Sequence, residues 1–267
     1  GRGAGRRRGG ARVRARAGAG AGQAFLVTGG SGFLGAHLVG ELLAAGHAVR
    51  VLARSPAPDL AARGAEVLEG SVTDADAVAA AMAGVDGVFH LAGVVEHSRR
   101  APGKLAEASG RGTAQVLQSA SDAGVRRVVY ASTSGTVAVD RDPDFMGTDA
   151  SPYARECVRD WPYYANKIES EVAGRRQAED LGLDLLVMRP SLLLGPGDSR
   201  LSSCRSVLDA LDGKVPFVPS GGLNFVDVRD AAGAFAAAMS RGRPGASYIL
   251  GGANMTFRDY FKKIADL

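Results

Sequence analysis

Short apolar runs alternate with longer amphipathic stretches from Ala24 to Pro190, a pattern typical of parallel strands joined by crossover helices. The apolar runs predict six strands, over residues 24–27, 48–53, 65–68, 87–92, 127–130 and 183–188. The amphipathic stretches predict helices over 33–45, from a cap at Thr73 or Asp74 to Met82, and over 105–123 and 163–181. The alternation therefore predicts an α/β protein built on a parallel sheet.

The regular alternation ends at Pro190. Glycine and proline cluster beyond it, for example at 195–197 and 219–222, and this predicts loops and short elements packed as a smaller lobe. We therefore divide the chain into a tail over 1–23, a main domain over 24–190 and a C-terminal lobe over 191–267.

The tail has a composition of its own. Its 23 residues contain seven arginines and no acidic residue, and they lack any apolar periodicity. We expect a disordered extension without a role of its own; an organelle transit segment and an RNA-binding tail are the functional alternatives. Because the whole chain carries a net charge of +4, the residues after the tail carry −3, so that they are not expected to bind nucleic acid.

Composition excludes several other classes of protein. A chain of 267 residues that is 46% hydrophobic can bury a full core as one large domain with a smaller lobe. Two cysteines and four histidines are too few and too scattered for a disulfide framework or a structural metal site. No apolar stretch approaches the roughly 18 residues that a membrane helix needs. We expect a soluble, cytoplasmic protein, or an imported one if the tail is a transit segment.

A glycine-rich turn joins the first predicted strand to the first predicted helix. Gly29, Gly32 and Gly35 have the spacing of a dinucleotide-binding fingerprint, in the strand–turn–helix context which that motif requires. The helix N-terminus would hold the pyrophosphate through free amide groups and the helix dipole. The fingerprint predicts a Rossmann-type, doubly wound sheet that binds a nicotinamide cofactor; the alternative is a glycine-rich turn without a ligand.

The end of the second strand predicts which cofactor is preferred. An acidic residue about 20 positions after the glycines would bind the adenosine ribose and exclude a 2′-phosphate. This chain has Arg54 there instead, and a guanidinium can pair with a phosphate. We predict NADP(H) as the preferred cofactor and NAD(H) as a possible one, unless Arg54 is an ordinary surface arginine.

A second group of residues suggests proton transfer. Tyr163 and Lys167 are four residues apart, so on a helix they lie on one face, where an ammonium would lower the pKa of the phenol. A phenol tuned in this way can donate a proton to an oxygen or accept one. Three hydroxyl residues, 132–134, follow the fifth strand, at the sheet edge where ligands of open α/β sheets bind. One of these hydroxyls can bind the reacting oxygen.

These motifs, in this order, resemble the extended short-chain dehydrogenase/reductase superfamily, the NAD(P)-dependent epimerase/dehydratase family. The resemblance covers nearly all of 24–267 and includes the segments 88–93, 188–191 and 225–230. The segment 129–137 together with Arg54 looks most like dihydroflavonol-reductase-like enzymes, which reduce carbonyl groups with NADPH. Members of the family usually continue beyond the position of Leu267, so we expect part of the substrate pocket to be missing from 191–267.

The resemblance assigns roles to individual residues. Thr133, with Ser134 as the fallback, corresponds to the catalytic hydroxyl, Tyr163 to the acid–base group, and Lys167 to the residue that lowers the pKa of the phenol and holds the nicotinamide ribose. The residues that correspond to the family's cofactor contacts, with Arg54 added from the argument above, are Gly29, Gly32, Phe33, Leu34, Gly35, Arg54, Ser71, Val72, Leu91, Ala92, Gly93 and Pro190.

Three functions remain open from the sequence. The first is a reductase that transfers hydride from NADPH to a small carbonyl compound while Tyr163 protonates the oxygen. The second is a nucleotide-sugar epimerase or dehydratase that keeps its cofactor bound, and the third is a non-catalytic NADP(H)-binding regulator. The family resemblance also makes a homodimer possible.

Overall fold

The computed structural model describes residues 22–93 and 107–266. Its main sheet has seven parallel strands in the order β3-β2-β1-β4-β5-β6-β9. These strands are β1 (Ala24–Thr28), β2 (Ala48–Ala53), β3 (Glu66–Glu69), β4 (Gly87–His90), β5 (Arg127–Ala131), β6 (Asp184–Pro190) and β9 (Ser247–Leu250). The order reverses between β1 and β4, and ligands of such sheets bind in the crevice at this switch point.

Helices cover both faces of the main sheet. On one face, α1 (Phe33–Ala44) packs with α8 (Val228–Arg241), and Leu38 and Phe235 are fully buried between them and the sheet. On the other face lie α3 (Ala75–Met82), α4 (Gly112–Asp122) and α6 (Pro162–Asp180). The described residues also form α2 (Pro58–Ala62), α5 (Arg155–Val158), α7 (Arg205–Leu211) and α9 (Phe257–Ala265). A core on each face identifies a doubly wound α/β fold, which confirms the predicted fold class.

A smaller, three-stranded sheet lies in the C-terminal part. Its order is β10-β8-β7, with β7 at Leu192–Leu194, β8 at Gly222–Asp227 and β10 at Ala253–Thr256. Helix α9 packs on this sheet, where the ring of Tyr260 stacks on Phe225 with centroids 4.5 Å apart.

The C-terminal part also contributes to the main sheet. Strand β9 pairs with β6, and α8 packs against α1, although both segments follow Pro190. The structure therefore differs from the division at residue 190, because α8 buries apolar residues in the core of the main sheet, and Tyr248 and Leu250 of the half-buried β9 pack against that core. Glycine and proline punctuation marks loops, and it does not tell on which sheet the next strand will pair.

The predicted elements agree with the observed ones to within one or two residues over most of the main sheet. Strand β4 ends at His90 rather than at Ala92, and the short α2 was not predicted. The predicted helix over 105–123 begins outside the described residues; from Glu107 to Arg111 the backbone forms one π-helical turn before α4 begins. The basic tail, up to residue 21, also lies outside the described residues.

Candidate active site

The turn between β1 and α1 lies against the end of β4. Gly29 has φ = +72°, a conformation that glycine adopts without strain. A Cβ at Gly29 would lie 2.7 Å from the amide nitrogen of Ala92, and a Cβ at Gly35 would lie 2.2 Å from the carbonyl oxygen of Gly29. Both positions therefore exclude side chains, as the fingerprint predicts.

The N-terminus of α1 opens onto the crevice. Gly32 is the N-cap residue, and among the described residues no side chain caps the helix. The first amides of a helix have no partner within it and attract anions. Among the described residues, a Cβ at Gly32 would meet only the carbonyl oxygen of Gly29, at 3.2 Å, so none of them fills the space above this turn. The turn thus fits the pyrophosphate of a dinucleotide.

The adenosine side of the crevice begins at the end of β2. Arg54 is exposed there and faces the same crevice as Ser71 and Val72. The hydroxyl of Ser71 lies 2.8 Å from that of Thr73 and accepts a hydrogen bond from the Thr73 amide. No acidic side chain among the described residues lining this crevice lies at the end of β2.

Lys167 connects α6 to the end of β5. Its Nζ donates a hydrogen bond to the carbonyl oxygen of Ala131 at 3.0 Å and lies 5.4 Å from the ring centroid of Tyr130. Burial lowers the pKa of Lys167 to about 8, although the charge of Glu171 opposes this shift. The amine is therefore mostly protonated at neutral pH.

Tyr163 lies one turn before Lys167, on the side of α6 that faces the crevice. Its ring packs edge-on against Tyr164 at 5.1 Å, and the ring of Tyr164 in turn covers Gly135. Burial, with a smaller contribution from Tyr164, raises the pKa of the Tyr163 phenol. Lys167 is not among the causes of this shift, so its effect on the pKa of the Tyr163 phenol stays a prediction.

The three hydroxyl residues after β5 have different surroundings. Ser132 is buried, and its hydroxyl donates to Oε2 of Glu171 at 2.8 Å. Thr133 is half-buried; its Oγ1 accepts from the amide of Gly135 at 3.3 Å and so caps the short 3₁₀ turn Ser134–Thr136. Thr133 and Ser134 both face the crevice, and either hydroxyl can reach a ligand there.

A buried ion pair, which was not predicted from the sequence, lies behind these hydroxyls. Glu171, on α6, is fully buried, and its Oε1 accepts from Nη2 of Arg189 at 2.5 Å. Tyr153 donates to the same oxygen at 2.9 Å. The signals that could have revealed it are the position of Glu171 one turn after Lys167 and the position of Arg189 directly before Pro190.

A buried histidine occupies the end of β4. Nδ1 of His90 lies 2.7 Å from the hydroxyl of Thr28, and Nε2 lies 3.0 Å from that of Thr113. The Thr28 hydroxyl also accepts from the amide of Ala92 at 3.2 Å. Burial and the charge of Lys167 lower the pKa of His90 to about 3, so the imidazole is neutral. This chain of hydrogen bonds ties β1 to β4 below the glycine turn.

One cleft of about 2260 Å³ collects the predicted residues. Its lining includes every predicted site residue, namely Gly29, Gly32, Phe33, Leu34, Gly35, Arg54, Ser71, Val72, Leu91, Ala92, Gly93, Thr133, Tyr163, Lys167 and Pro190. Their roles remain a prediction, but the cleft is large enough for a dinucleotide together with a substrate.

Large apolar side chains line part of the same cleft. Phe145, Met146 and Trp161 line it, and each is between 37% and 66% exposed. Large apolar side chains that remain this exposed in a cleft mark a binding surface. These residues, which lie outside the motifs, were not predicted from the sequence.

Within the described ranges, no group of three metal-ligating side chains lies close enough together to hold a metal ion, and no helix is both long and apolar enough to cross a membrane.

Comparison with known proteins places this cleft in a family context. The family model described as the NAD dependent epimerase/dehydratase family matches residues 25–251. Cinnamoyl-CoA reductase 1 of Oryza sativa subsp. japonica is 32% identical over 92% of this chain and 76% of its own length. A putative dihydroflavonol 4-reductase of Synechocystis sp. is 31% identical over 88% of this chain and 69% of its own length.

A solved structure has a similar fold. A double mutant of the dTDP-glucose 4,6-dehydratase of Streptomyces venezuelae, solved with NAD bound, is 29% identical and superposes with a TM-score of 0.76, over 91% of this chain and 80% of that one. Reductases and a nucleotide-sugar dehydratase thus share this chain's fold and much of its length.

Proposed function

The chain belongs to the NAD dependent epimerase/dehydratase family, and from this premise we propose that it reduces a carbonyl group of an apolar small molecule with NADPH. Within the family, enzymes that return the hydride to their substrate and enzymes that consume the cofactor use related sites. The choice between them therefore depends on the features of this chain's own cleft.

The observation that carries the proposal is the state of Tyr163. Tyr163 lines the cleft, and its phenol, whose pKa burial raises further above neutrality, keeps its proton at neutral pH and can donate it. Reduction of a carbonyl requires such a donor, since the oxygen gains a proton when the carbon gains a hydride. The same cleft is lined by Phe145, Met146 and Trp161, which suit an apolar substrate.

The residues of the cleft fit a nicotinamide dinucleotide. The turn around Gly29 and Gly32 would hold the pyrophosphate, Lys167 would hold the nicotinamide ribose, and Arg54 would pair with a 2′-phosphate. A bound NADPH supplies the hydride that the carbonyl carbon accepts.

The protein's own groups then manage the oxygen. Thr133, or Ser134 next to it, donates a hydrogen bond that places the carbonyl oxygen beside Tyr163. The phenol transfers its proton to that oxygen, so that an alcohol forms. Lys167 lies close by as a cation and stabilises the phenolate that remains until it is reprotonated from solvent.

A specific observation also favours a second function. Arg200 and Lys263 line the same cleft as these apolar residues, and both could bind the diphosphate of a nucleotide sugar. The epimerase or dehydratase reaction would then replace net reduction. The two functions differ in whether NADPH is consumed in proportion to product.

The test is substrate-dependent loss of NADPH absorbance. Purified protein is assayed with cinnamoyl-CoA, with a dihydroflavonol and with UDP-glucose. We expect stoichiometric NADPH consumption with at least one of the carbonyl compounds. Turnover of the nucleotide sugar without net consumption of NADPH would contradict the reductase and support the second function.

Two tyrosine variants test the mechanism in the same assay. Tyr163→Phe removes the proton donor, and we expect kcat to fall by a factor of about 10²–10⁴. Tyr164→Phe is the matched control: it keeps the ring that covers Gly135, so its kcat should stay close to that of the wild type. Equal activity of the two variants would exclude Tyr163 as the proton donor.

A further inference from the structure

We propose that Glu171 is a positioning residue for the reduction, because its carboxylate holds the strand end that carries Thr133 in register with the helix that carries Tyr163 and Lys167. The inference rests on the proposed function. It adds a residue that does not line the cleft and that acts through its neighbours.

A hydrogen bond joins Glu171 to the end of β5. Glu171 lies on α6, one turn beyond Lys167, and its side chain is fully buried. Its Oε2 accepts the hydroxyl hydrogen of Ser132 at 2.8 Å. Since Ser132 directly precedes Thr133, this bond fixes the backbone from which the proposed catalytic hydroxyl extends.

An ion pair joins Glu171 to Arg189 on β6. Nε and Nη2 of Arg189 lie 3.3 Å and 2.5 Å from the two oxygens of Glu171, and Arg189 is only 5% exposed. Arg189 directly precedes Pro190, which lines the cleft. The same carboxylate thus fixes a second strand end of the site.

The Glu171–Arg189 pair also contacts the segment around Asp149 and Tyr153, which follows β5. The hydroxyl of Tyr153 donates to Oε1 of Glu171 at 2.9 Å, and Nη1 of Arg189 donates to the carbonyl oxygen of Asp149 at 3.2 Å. The loop between them and β5 contributes Phe145 and Met146 to the cleft. The Glu171–Arg189 pair therefore joins α6, two strand ends and this loop.

The charge of Glu171 determines the direction of these hydrogen bonds. Burial alone would raise the pKa of its carboxyl, but Arg189, together with the hydroxyls of Ser132 and Tyr153, lowers it below its ordinary value. An ionised carboxylate only accepts hydrogen bonds, so the Ser132 hydroxyl must point its hydrogen at Glu171. Of the three hydroxyls after β5, Ser132 is consequently not the one that donates to a substrate oxygen.

The Glu171–Arg189 pair is expected to affect the reaction rate, through the positions of its neighbours, more than it affects the stability of the protein. A buried ion pair contributes little net stability, because the cost of desolvating both charges offsets their attraction. A displacement of reacting groups by about 1 Å, in contrast, can cost on the order of 10² in rate. Glu171 contacts the segments on which Thr133 and Tyr163 both depend, which makes kcat the sensitive quantity.

The experiment compares Glu171→Gln with Glu169→Gln in the full chain. The control makes the same chemical change on the same helix, at a carboxylate that is 64% exposed and pairs with Arg155. We expect Glu171→Gln to lower kcat on the order of 10²-fold, and to leave the Kd for NADPH within about a factor of two because the glycine turn is untouched. Unchanged kcat in Glu171→Gln, or an equal loss in Glu169→Gln, would overturn the proposal.

A second variant separates position from the cost of an unpaired charge. Glu171→Gln combined with Arg189→Met removes both buried charges, so it can fold even where the single variant does not. We expect kcat of the double variant to remain low. Recovery of wild-type kcat would show that the pair only balances charge and would overturn the positioning role.

Hydrogen exchange gives a readout that does not depend on activity. The amide of Ser132 donates to the carbonyl oxygen of Met188 at 2.8 Å, across the strand ends that Glu171 joins. In each Glu171→Gln variant that folds, we expect this amide to exchange faster than in the wild type. The amides of β1 should exchange at the wild-type rate. If the wild type consumes no NADPH with any carbonyl compound, the proposed function fails, whereas unchanged exchange at Ser132 refutes the positioning role by itself.

Discussion

Nζ of Lys167 donates a hydrogen bond to the backbone carbonyl oxygen of Ala131 at a distance of 3.0 Å. This bond places a cation at the carboxyl end of β5, in the crevice where the strand order reverses. A Cβ at Gly93 would come within 3.3 Å of the same nitrogen, so the end of β4 leaves room for the ammonium. The backbone of β5 thus holds the ammonium through a hydrogen bond, and the glycine that follows β4 leaves space for it.

The first prediction concerns the pH dependence of reduction. Burial lowers the pKa of Lys167 to about 8, whereas burial raises that of Tyr163. Reduction needs the phenol protonated and the ammonium charged, so kcat/KM should be constant at lower pH and fall as the pH rises through about 8. Initial rates of NADPH oxidation across this range test the expectation. A profile that stays flat through this pH would show that the charge of Lys167 does not contribute.

The second prediction is a gain in stability when Lys167 is lost. Because the folded state lowers the pKa of Lys167 from 10.5 to about 8, holding the charged amine in the core costs free energy at neutral pH. Lys167→Met should raise the free energy of unfolding at neutral pH by about 1–3 kcal/mol, after the lost hydrogen bond to Ala131 is subtracted, and should abolish activity. Denaturant unfolding of both proteins measures the difference.

The pH dependence of that gain has a definite sign. Between about 8 and 10.5 the unfolded chain keeps the proton that the folded wild type has released. The stability of the wild type therefore rises with pH in this window, and that of Lys167→Met lacks the rise. The advantage of the variant should shrink across this window, and an advantage that grew instead would contradict the burial cost of the amine.

The main sheet could be predicted because its signals are local. Short apolar runs predict six of its strands, and Asp74, one of the two residues predicted as caps, is the N-cap of α3. The glycine positions of the first turn follow from backbone contacts that no side chain could tolerate, such as that between Gly29 and Ala92. Chemistry of this kind is visible in the sequence of one short segment.

Features that depend on distant contacts were not predictable in the same way. The shift in the pKa of Tyr163 depends on how completely the ring is covered, and spacing along α6 does not report this. Glu171 and Arg189 are charged residues that resemble surface positions in the sequence, yet they are buried because each neutralises the other. Strand β9 joins the main sheet by pairing with β6, more than 50 residues earlier in the chain.

The third prediction concerns cofactor choice. Arg54 is exposed at the end of β2, where the fork of its guanidinium can pair with a 2′-phosphate. Arg54→Ala should raise the KM for NADPH about tenfold, the equivalent of about 1.4 kcal/mol, and leave the KM for NADH nearly unchanged. Parallel titrations with both cofactors provide the measurement and its internal control. Equal changes for the two cofactors would show that Arg54 does not distinguish them.

The fourth prediction is an acid-dependent loss of stability caused by His90. Burial, helped by the charge of Lys167, lowers the pKa of His90 from 6.5 to about 3. Between these two values the unfolded chain binds a proton that the folded protein does not, so stability is fully present above 6.5 and is lost as the pH falls toward 3. Protonation would also turn the ring nitrogen that accepts a hydrogen bond into a donor, so that the threonine hydroxyl bound to that nitrogen, that of Thr28 or of Thr113, would have to reorient.

Two variants test whether His90 is responsible. His90→Gln supplies an amide that offers one acceptor and one donor to the hydroxyls of Thr28 and Thr113 but cannot titrate. Its free energy of unfolding should therefore change less with pH between 6.5 and 3 than that of the wild type. At neutral pH we expect it to be less stable by about 1–3 kcal/mol, because the amide does not replace the ring that stacks on Tyr130.

Thr113→Val is the control, since it removes one hydrogen bond and leaves the histidine in place. Its stability should be lower at every pH by a similar amount, with the slope of the wild type retained. If the His90→Gln curve also ran parallel to that of the wild type, another group would have to account for the loss of stability in acid.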